Sequence, residues 1–154
     1  MKFQKTAGLF IFVLAAFFMM AGTGVCDEKE GYNYISVDEF KARMDAGEHE
    51  NGLMAIVTTQ TEEEYASGHI KAAYPTYARP LIFPWHYSRM DPFMELVQDT
   101  DEDIILICPR GHSGAERPFD YFKRNGIAEE RMFILKDGQE AFNRAYPDNV
   151  TYGN

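Results

Sequence analysis

The segment Cys108-Pro-Arg-Gly-His-Ser-Gly114 contains residue types that suit nucleophilic chemistry. It follows an apolar, branched run at residues 104–107, which is typical of a strand buried on both faces. Gly111 and Gly114 let the backbone curl until successive N–H groups point at the sulfur, and the helix predicted next adds its dipole. This arrangement favours a thiolate, so the sequence predicts that Cys108 has a lowered pKa and acts as the nucleophile.

The other residues of this loop are candidates for binding an anionic substrate. Arg110 supplies a permanent positive charge two residues after the cysteine, whereas His112 contributes charge mainly below about pH 6.5. The remaining loop positions complete the predicted anion site. The predicted catalytic residue is therefore Cys108, and the predicted substrate-binding residues are Arg110, Gly111, His112, Ser113 and Gly114.

Two rival chemistries fit this spacing poorly. Cysteine phosphatases and their arsenate-reducing relatives need the pattern Cys-x5-Arg, because an arginine must bind the oxyanion through two hydrogen bonds. Here Gly114 stands at that position, and the next arginine is Arg117. A zinc site needs at least three protein ligands, and Cys108 with His112 supplies two. We therefore expect neither a phosphatase nor a metal site, and no cofactor.

The composition is that of one acidic globular domain. Among 154 residues, 24 Asp and Glu oppose 15 Lys and Arg, for a formal net charge of −9. A chain of this length can bury a sufficient core without disulfides or metals. Because the chain is acidic and has no basic stripe, it would repel a phosphate backbone, which argues against binding to nucleic acid.

Residues 1–25 have the pattern of a secretory signal peptide. Lys2 and Lys5 precede an apolar run at residues 9–21, and small residues follow it at 22–24. The apolar run is shorter than the roughly 20 residues that span a bilayer. We therefore predict export, to the periplasm if the source is bacterial, with no stable membrane span in the mature form. An uncleaved N-terminal anchor and a lipid anchor at Cys26 are the alternatives.

The rest of the chain alternates strand and helix signals, which predicts a three-layer α/β domain over residues 31–150. Ser36 and Thr61 each precede a glutamate by three residues, the spacing of a helix N-terminal capping box. Pro118 is expected to delay the helix after the cysteine loop beyond Ala115, or to make it irregular. The predicted strands are at residues 32–35, 53–58, 72–75, 104–107 and 132–135, and the predicted helices are at 37–47, 62–66, 91–97, 115–125 and 140–145.

Three motifs in the predicted domain suggest a family. They are Glu63-Glu-Tyr-Ala-Ser-Gly-His-Ile70, the stretch from Ile104 to Gly114, and Lys136-Asp-Gly-Gln-Glu-Ala-Phe142. With its motifs in this order and at these separations, the chain resembles the rhodanese-like domains, in particular the small single-domain thiosulfate sulfurtransferases. The resemblance implies a five-stranded parallel sheet flanked by helices. It also implies that Cys108 takes a sulfane sulfur from a donor such as thiosulfate and passes it, as a persulfide, to a thiol acceptor, either a small molecule or a protein.

Some positions depart from the family pattern. Where many members have an Asp and an Arg after the second strand, this chain has Thr58 and Gln60, and Ser113 replaces a frequent loop arginine. These differences leave a second function open, in which the domain is a non-catalytic or weakly catalytic binding module that acts through protein contacts. The intact Cys108 favours the sulfurtransferase, since a binding module has no need of it.

The segment at residues 77–93 is rich in aromatic residues, including Phe83, Trp85 and Phe93. Two interpretations of these rings are open. They form a wall over the Cys108 pocket that controls the access of a thiol or a protein partner, or they fill the core beneath a long connection.

Overall fold

The computed structural model describes residues 28–111 and 113–153. The predicted signal peptide and Cys26 lie outside these residues, and so does His112. Within the described part of the chain, no helix is long and apolar enough to cross a bilayer.

Strands and helices alternate through most of the described residues. The strands are β1 (Tyr34–Ile35), β2 (Met54–Thr58), β3 (His69–Ile70), β4 (Tyr74–Pro75), β5 (Asp103–Ile107), β6 (Met132–Leu135) and β7 (Val150–Thr151). The α-helices are α1 (Val37–Asp45), α2 (Glu62–Ser67), α3 (Pro84–Tyr87), α4 (Asp91–Val97), α5 (Ser113–Arg124) and α6 (Gly138–Ala145). Short 3-10 helices cover Ser88–Met90, Glu129–Arg131 and Pro147–Asn149.

β5 is the central strand of a five-stranded parallel sheet with the order β1-β6-β5-β2-β4. Its register places Ile105 opposite Ile56 on β2 and Phe133 on β6. The family resemblance predicted this parallel sheet, and the structure confirms it, with a strand at each of the five predicted positions.

The side chains of β5 pack into two hydrophobic clusters, one on each face of the sheet. The first cluster lies between the sheet and helices α4 and α5, and its members include Ile104, Leu106, Phe93 and Phe122. The second lies between the sheet and helices α1 and α6, and its members include Ile105, Ile107, Phe40 and Phe142. The domain therefore has the predicted three layers, and the continuous apolar sequence of β5 follows from burial on both faces.

The helix starts predicted at Ser36 and Thr61 are confirmed. Ser36 Oγ accepts the N–H of Glu39 at 3.1 Å. Thr61 Oγ1 accepts the N–H of Glu64 at 3.2 Å, and Glu64 Oε2 accepts the N–H of Thr61 at 2.8 Å, which makes a complete capping box. These side chains satisfy N–H groups that have no partner inside a helix.

The prediction that Pro118 delays the start of α5 beyond Ala115 is wrong. α5 begins at Ser113, before Ala115, and Pro118 is its sixth residue. Proline has no N–H to donate to the carbonyl of Gly114, so one helical hydrogen bond is lost. The helix buries Phe119 and Phe122 in the first hydrophobic cluster, and this tertiary packing outweighs the loss.

A second, two-stranded sheet was not predicted from the sequence. β3 and β7 pair antiparallel, with His69 opposite Thr151. The N–H of Gly153 also donates to the carbonyl of Ala66 at 2.9 Å. The segment after α6 is therefore attached beside α2.

Candidate active site

Cys108 lies directly after β5, at the carboxyl end of the central strand. Its side chain is buried, and the N–H of Gly111 donates a hydrogen bond to Cys108 Sγ at an N–S distance of 3.0 Å. Gly111 has a φ of +68°, a left-handed conformation that glycine adopts without steric cost. The backbone therefore curls around the sulfur at Gly111, as the sequence predicted.

The N-terminus of α6 lies against this loop and donates hydrogen bonds to it. The N–H of Gln139 bonds to the carbonyl of Cys108, and the N–H of Glu140 bonds to the carbonyl of Pro109, each at 2.9 Å. The first N–H groups of a helix have no partner within the helix, so the loop carbonyls satisfy two of them. The loop and α6 thereby hold each other in place.

Two glycines allow the loop and α6 to approach this closely. A Cβ added to Gly138 would lie 2.5 Å from Gly111 N, and a Cβ added to Gly111 would lie 2.6 Å from Gly138 N. Both distances are far shorter than van der Waals contact, so neither position has room for a side chain. The backbone contacts with α6 therefore fix the position of Cys108.

The first turn of α5 lies next to the sulfur. A Cβ added to Gly114 would lie 3.3 Å from both Cys108 Cβ and Cys108 Sγ, which is tighter than ordinary packing. A glycine at this position therefore lets the helix N-terminus come close to the sulfur. Because that end of a helix has a partial positive charge, it favours a negatively charged sulfur.

Cys108 lines a pocket of about 290 Å³. The loop supplies part of the pocket wall, including Arg110. The remainder comes from residues 79–81, which follow β4, and from Arg117 on α5. The pocket thus brings one cysteine together with Arg79, Arg110 and Arg117, a combination suited to a negatively charged substrate.

Arg110, the predicted anion-binding residue, lies at this pocket and forms an ion pair with Glu140. The distance from Arg110 Nε to Glu140 Oε1 is 3.2 Å, and the Arg110 side chain is 77% exposed. Its charge is therefore partly matched by a carboxylate and largely hydrated. Whether Arg110 contributes to substrate binding stays a prediction.

Sequence reasoning missed the two other arginines of the pocket. Arg79 Nη1 lies 2.6 Å from Glu64 Oε1, and Arg117 Nη1 donates to the carbonyl of Leu81 at 3.3 Å. Arg117 lies beyond the arginine position of the Cys-x5-Arg pattern, but it follows Gly114 by one helical turn and so lies on the same side of α5. That i, i+3 spacing could have found Arg117, whereas no pattern in the sequence indicated Arg79.

The other predicted site residues have mixed outcomes. Ser113 is the first residue of α5, and His112 lies outside the described residues. Of the predicted site residues, the structure brings four together at the sulfur or in the pocket wall: Cys108, Arg110, Gly111 and Gly114.

The family model described as Rhodanese-like domain matches residues 36–145 of this chain. The chain belongs to the rhodanese-like family. A search of curated proteins finds no significant match.

Solved structures with the rhodanese-like fold superpose on the domain. An As-Sb reductase from Leishmania major is 15% identical over 79% of this chain and 86% of its own, with a TM-score of 0.63. A yeast protein tyrosine phosphatase of the rhodanese family is 17% identical over 79% of this chain and 91% of its own, with a TM-score of 0.56. A thiosulfate sulfurtransferase from Pseudomonas aeruginosa is 12% identical over 80% of this chain and 21% of its own, with a TM-score of 0.52. At these identities the likeness establishes the fold.

In this rhodanese-like domain, Thr58 and Gln60 are buried and bonded to each other. Thr58 Oγ1 donates to Gln60 Oε1 at 3.0 Å. Gln60 Nε2 donates to the carbonyls of Gly68 and Glu64, at 3.0 and 3.2 Å. The two residues that depart from the family pattern therefore connect the end of β2 to both ends of α2.

The aromatic residues at 77–93 neither all form a wall over the Cys108 pocket nor all fill the core. Phe83 and Trp85 stack with their ring centroids 4.5 Å apart, and they are 47% and 57% exposed. Phe93 is buried in the first hydrophobic cluster, as the core-filling interpretation predicts. The part of this segment that lines the Cys108 pocket is residues 79–81.

A metal centre finds no support among the residues described. Within residues 28–111 and 113–153, no group of three or more His, Cys, Asp or Glu side chains is arranged to hold a metal ion.

Proposed function

We propose that this rhodanese-like domain is an exported sulfurtransferase that moves a sulfane sulfur through a persulfide on Cys108. The donor is a small anion of the thiosulfate type, and the acceptor is a thiol on a small molecule or a protein. The observation that supports this most directly is the buried Cys108 sulfur, bonded to the N–H of Gly111, in a pocket lined by three arginines. The three arginines supply positive charge for a small anion beside the sulfur.

The first step forms the persulfide. The Cys108 thiolate attacks the outer sulfur of thiosulfate, a sulfur–sulfur bond forms on Cys108, and the sulfur–sulfur bond of the donor breaks. The electron pair of the broken bond leaves with sulfite. Charge is conserved, because a thiolate and a dianion become a persulfide anion and a dianion, and no other oxidant or reductant is needed.

The second step returns the enzyme to its starting form. The thiolate of the acceptor attacks the outer sulfur of the Cys108 persulfide, and Cys108 leaves as a thiolate. The Gly111 N–H and the N-terminus of α5 stabilise the thiolate as nucleophile in the first step and as leaving group in the second. One set of fixed dipoles thus supports both halves of the reaction.

Mass spectrometry of the intact protein tests the persulfide. After incubation with thiosulfate and removal of excess reagent, we expect the parent to gain the mass of one sulfur atom, and a reducing thiol should remove it. The Cys108→Ser variant should gain nothing. A parent that gains no sulfur under conditions where a known rhodanese does so would contradict the proposed transfer.

Alkylation tests the reactivity of the sulfur independently of any donor. Near about pH 6.5 we expect iodoacetamide to modify Cys108 much faster than it modifies free cysteine, because the loop stabilises a thiolate. A rate that rises only above about pH 8 would indicate an ordinary thiol and favour the binding module.

The exported location rests on the pattern of residues 1–25. If the segment is a cleaved signal peptide, the N-terminus of exported protein should fall between Thr23 and Asp27. Exported protein that still begins at Met1 would support an uncleaved anchor instead.

A binding module remains the second candidate, because one observation favours it. The stacked rings of Phe83 and Trp85 are about half exposed, two and four residues after Leu81 of the pocket wall. Exposed aromatic pairs of this kind are typical of protein contact surfaces. A domain that binds protein through this surface, yet gains no sulfur from thiosulfate, would belong to this class.

A further inference from the structure

Arg79 and Arg117 reach the Cys108 pocket from two different elements, the segment after β4 and helix α5. The geometry points to these two side chains, named here the arginine clamp, as the residues that bind the oxyanion group of the sulfur donor. This inference rests on the proposed function and names the residues that hold its donor.

Arg117 has a position and a charge that suit this role. It follows Gly114 by one turn on the side of α5 that faces the sulfur. Long side chains on a helix lean toward its N-terminus, which here is the cysteine loop. The Arg117 guanidinium donates to the neutral carbonyl of Leu81, and among the described residues no carboxylate forms an ion pair with it. Its charge is therefore available to a substrate.

The Arg79 side chain makes one ion pair, which leaves most of its N–H donors for a substrate. Its Nη1 lies 2.6 Å from Glu64 Oε1, and the two side chains are 35% and 37% exposed. A guanidinium has five N–H donors in a planar fork, so one bond to Glu64 leaves several for an oxyanion. The Glu64 contact also holds the Arg79 side chain in a defined place beside the pocket.

The clamp acts on the part of the donor where charge develops. When Cys108 Sγ attacks the outer sulfur of thiosulfate, the breaking bond gives its electron pair to the sulfur that bears the oxygens. Sulfite leaves with both negative charges on that group. Two guanidiniums that bind the oxygens therefore stabilise the leaving group more strongly in the transition state than in the bound donor. Donors without oxyanion oxygens, such as neutral persulfides, gain nothing from the clamp.

Sulfate protection of Cys108 measures the clamp without any turnover. Sulfate has the tetrahedral oxygens of the donor but no sulfane sulfur, so it occupies the anion site without reacting. The rate of iodoacetamide modification is followed on the peptide that contains Cys108, over a range of sulfate concentrations at constant ionic strength. The concentration that halves the rate reports the affinity of the site.

Three charge-removing variants are compared with the parent. Arg79→Gln and Arg117→Gln should each raise the half-protecting sulfate concentration by at least about 10-fold, the usual effect of losing a hydrogen bond between charged groups. Arg124→Gln removes the same charge from the exposed end of α5 and should stay within about twofold of the parent. Arg124 is exposed, so its substitution should not affect folding. Arg117→Gln also removes the hydrogen bond to the carbonyl of Leu81, so a thermal melt of each variant checks that the fold is intact.

The outcomes separate the clamp from the proposed function. If sulfate fails to protect the parent, or if the clamp variants behave like Arg124→Gln, the clamp is wrong, even when thiosulfate still transfers sulfur to Cys108. If sulfate protects through Arg79 and Arg117 but thiosulfate transfers nothing, the oxyanion site stands and the sulfurtransferase proposal fails.

Glu64→Gln tests the role of Arg79 through a substitution that should strengthen sulfate binding. The glutamine keeps a side-chain oxygen for the N–H of Thr61, so the capping box of α2 survives. It removes the carboxylate that pairs with Arg79 and so leaves more of the guanidinium charge for the pocket. The half-protecting sulfate concentration should fall about threefold, in the range expected for a partly exposed ion pair. An unchanged or higher concentration would exclude Arg79 from the clamp.

Discussion

The two sides of the cysteine loop are built by different kinds of contact. On the α6 side, backbone meets backbone, and the glycines at 111 and 138 leave no space for a Cβ. On the other side lies the rim segment, residues 77–89, which is held mainly by side chains. Arg89 Nη1 donates to the carbonyl of Tyr77 at 2.7 Å, and the hydroxyl of Tyr87 donates to the carbonyl of Leu81 at 2.9 Å.

The difference separates the position of the sulfur from the shape of the pocket. Contacts between backbones do not depend on side-chain identity, so the α6 side positions the sulfur in a way that substitutions elsewhere hardly alter. The rim segment includes two non-glycine residues with left-handed backbones, Tyr77 and Leu81, at φ of 52° and 57°. That conformation has a steric cost, and the carbonyls of these same residues accept the side-chain hydrogen bonds. Substitutions in the rim segment can therefore reshape the pocket while the sulfur stays in place.

The largest effect is expected at the α6 side of the loop. Gly138→Ala would force a Cβ to 2.8 Å from Arg110 N and closer still to neighbouring backbone atoms. We expect it to lower the free energy of unfolding by more than about 3 kcal/mol, because the backbone of the loop or of α6 must move. Urea unfolding followed by circular dichroism measures the loss.

Gly126→Ala is the matched control for this substitution. Gly126 also has a left-handed φ, of +96°, but a Cβ there would meet nothing within 4 Å. Its substitution should cost about 1–2 kcal/mol, the conformational cost of a left-handed alanine. Equal losses for the two variants would show that φ, and not the close contact with the loop, makes Gly138 necessary.

A smaller effect is expected in the rim segment. Tyr87→Phe removes the hydroxyl that donates to Leu81, and we expect a loss of about 1 kcal/mol in urea unfolding. Tyr152→Phe, at a residue that is 70% exposed, should change stability by less than about 0.5 kcal/mol. If the two variants match, the side-chain bonds do not hold the rim segment, and the contrast between the two sides of the loop fails.

The last effect appears only at alkaline pH and concerns Tyr121, which packs against the rim segment. The Tyr121 ring on α5 packs 5.4 Å from the Tyr87 ring, and its hydroxyl donates to Asp91 Oδ1 at 2.7 Å. Burial and this hydrogen bond raise the pKa of Tyr121 to about 12, above its usual value of 10.0. The folded state therefore holds this proton more tightly than the unfolded state does.

The sign of the pH dependence follows from that difference in pKa. The stabilisation is fully present below pH 10 and is lost as the pH rises through about 12. Urea midpoints of the parent should fall across this interval more steeply than those of Tyr121→Phe. Parallel profiles would mean that Tyr121 does not couple its proton to folding.

Most of the fold could be predicted from the sequence because its signals are local. The apolar run at 104–107 and the capping spacings at Ser36 and Thr61 lie within a few residues, and each is confirmed. β3 and β7 have two residues each, too few to show a periodic pattern, and they form because residues far apart in the chain meet.

The site was predictable where one short segment forms it. Cys108, Gly111 and Gly114 lie within seven consecutive residues, and spacing sufficed to predict the curl of the backbone around the sulfur. Arg79 approaches from another part of the chain, so only the three-dimensional structure places it at the pocket. The start of α5 was mispredicted because the local preference of Pro118 is weaker than the packing of the aromatic residues that follow it.

The order of the strands has a consequence for the time at which the domain can fold. β1, which begins the domain, pairs with β6, so Tyr34 finds its partner Ile134 about a hundred residues later in the chain. During synthesis from the N-terminus, β1 must therefore wait until β6 has been made before it can take its place. Closing so long a loop is slow, and the edge of β6 is unpaired until then. During that interval the exposed strand edge is a template for pairing with other chains.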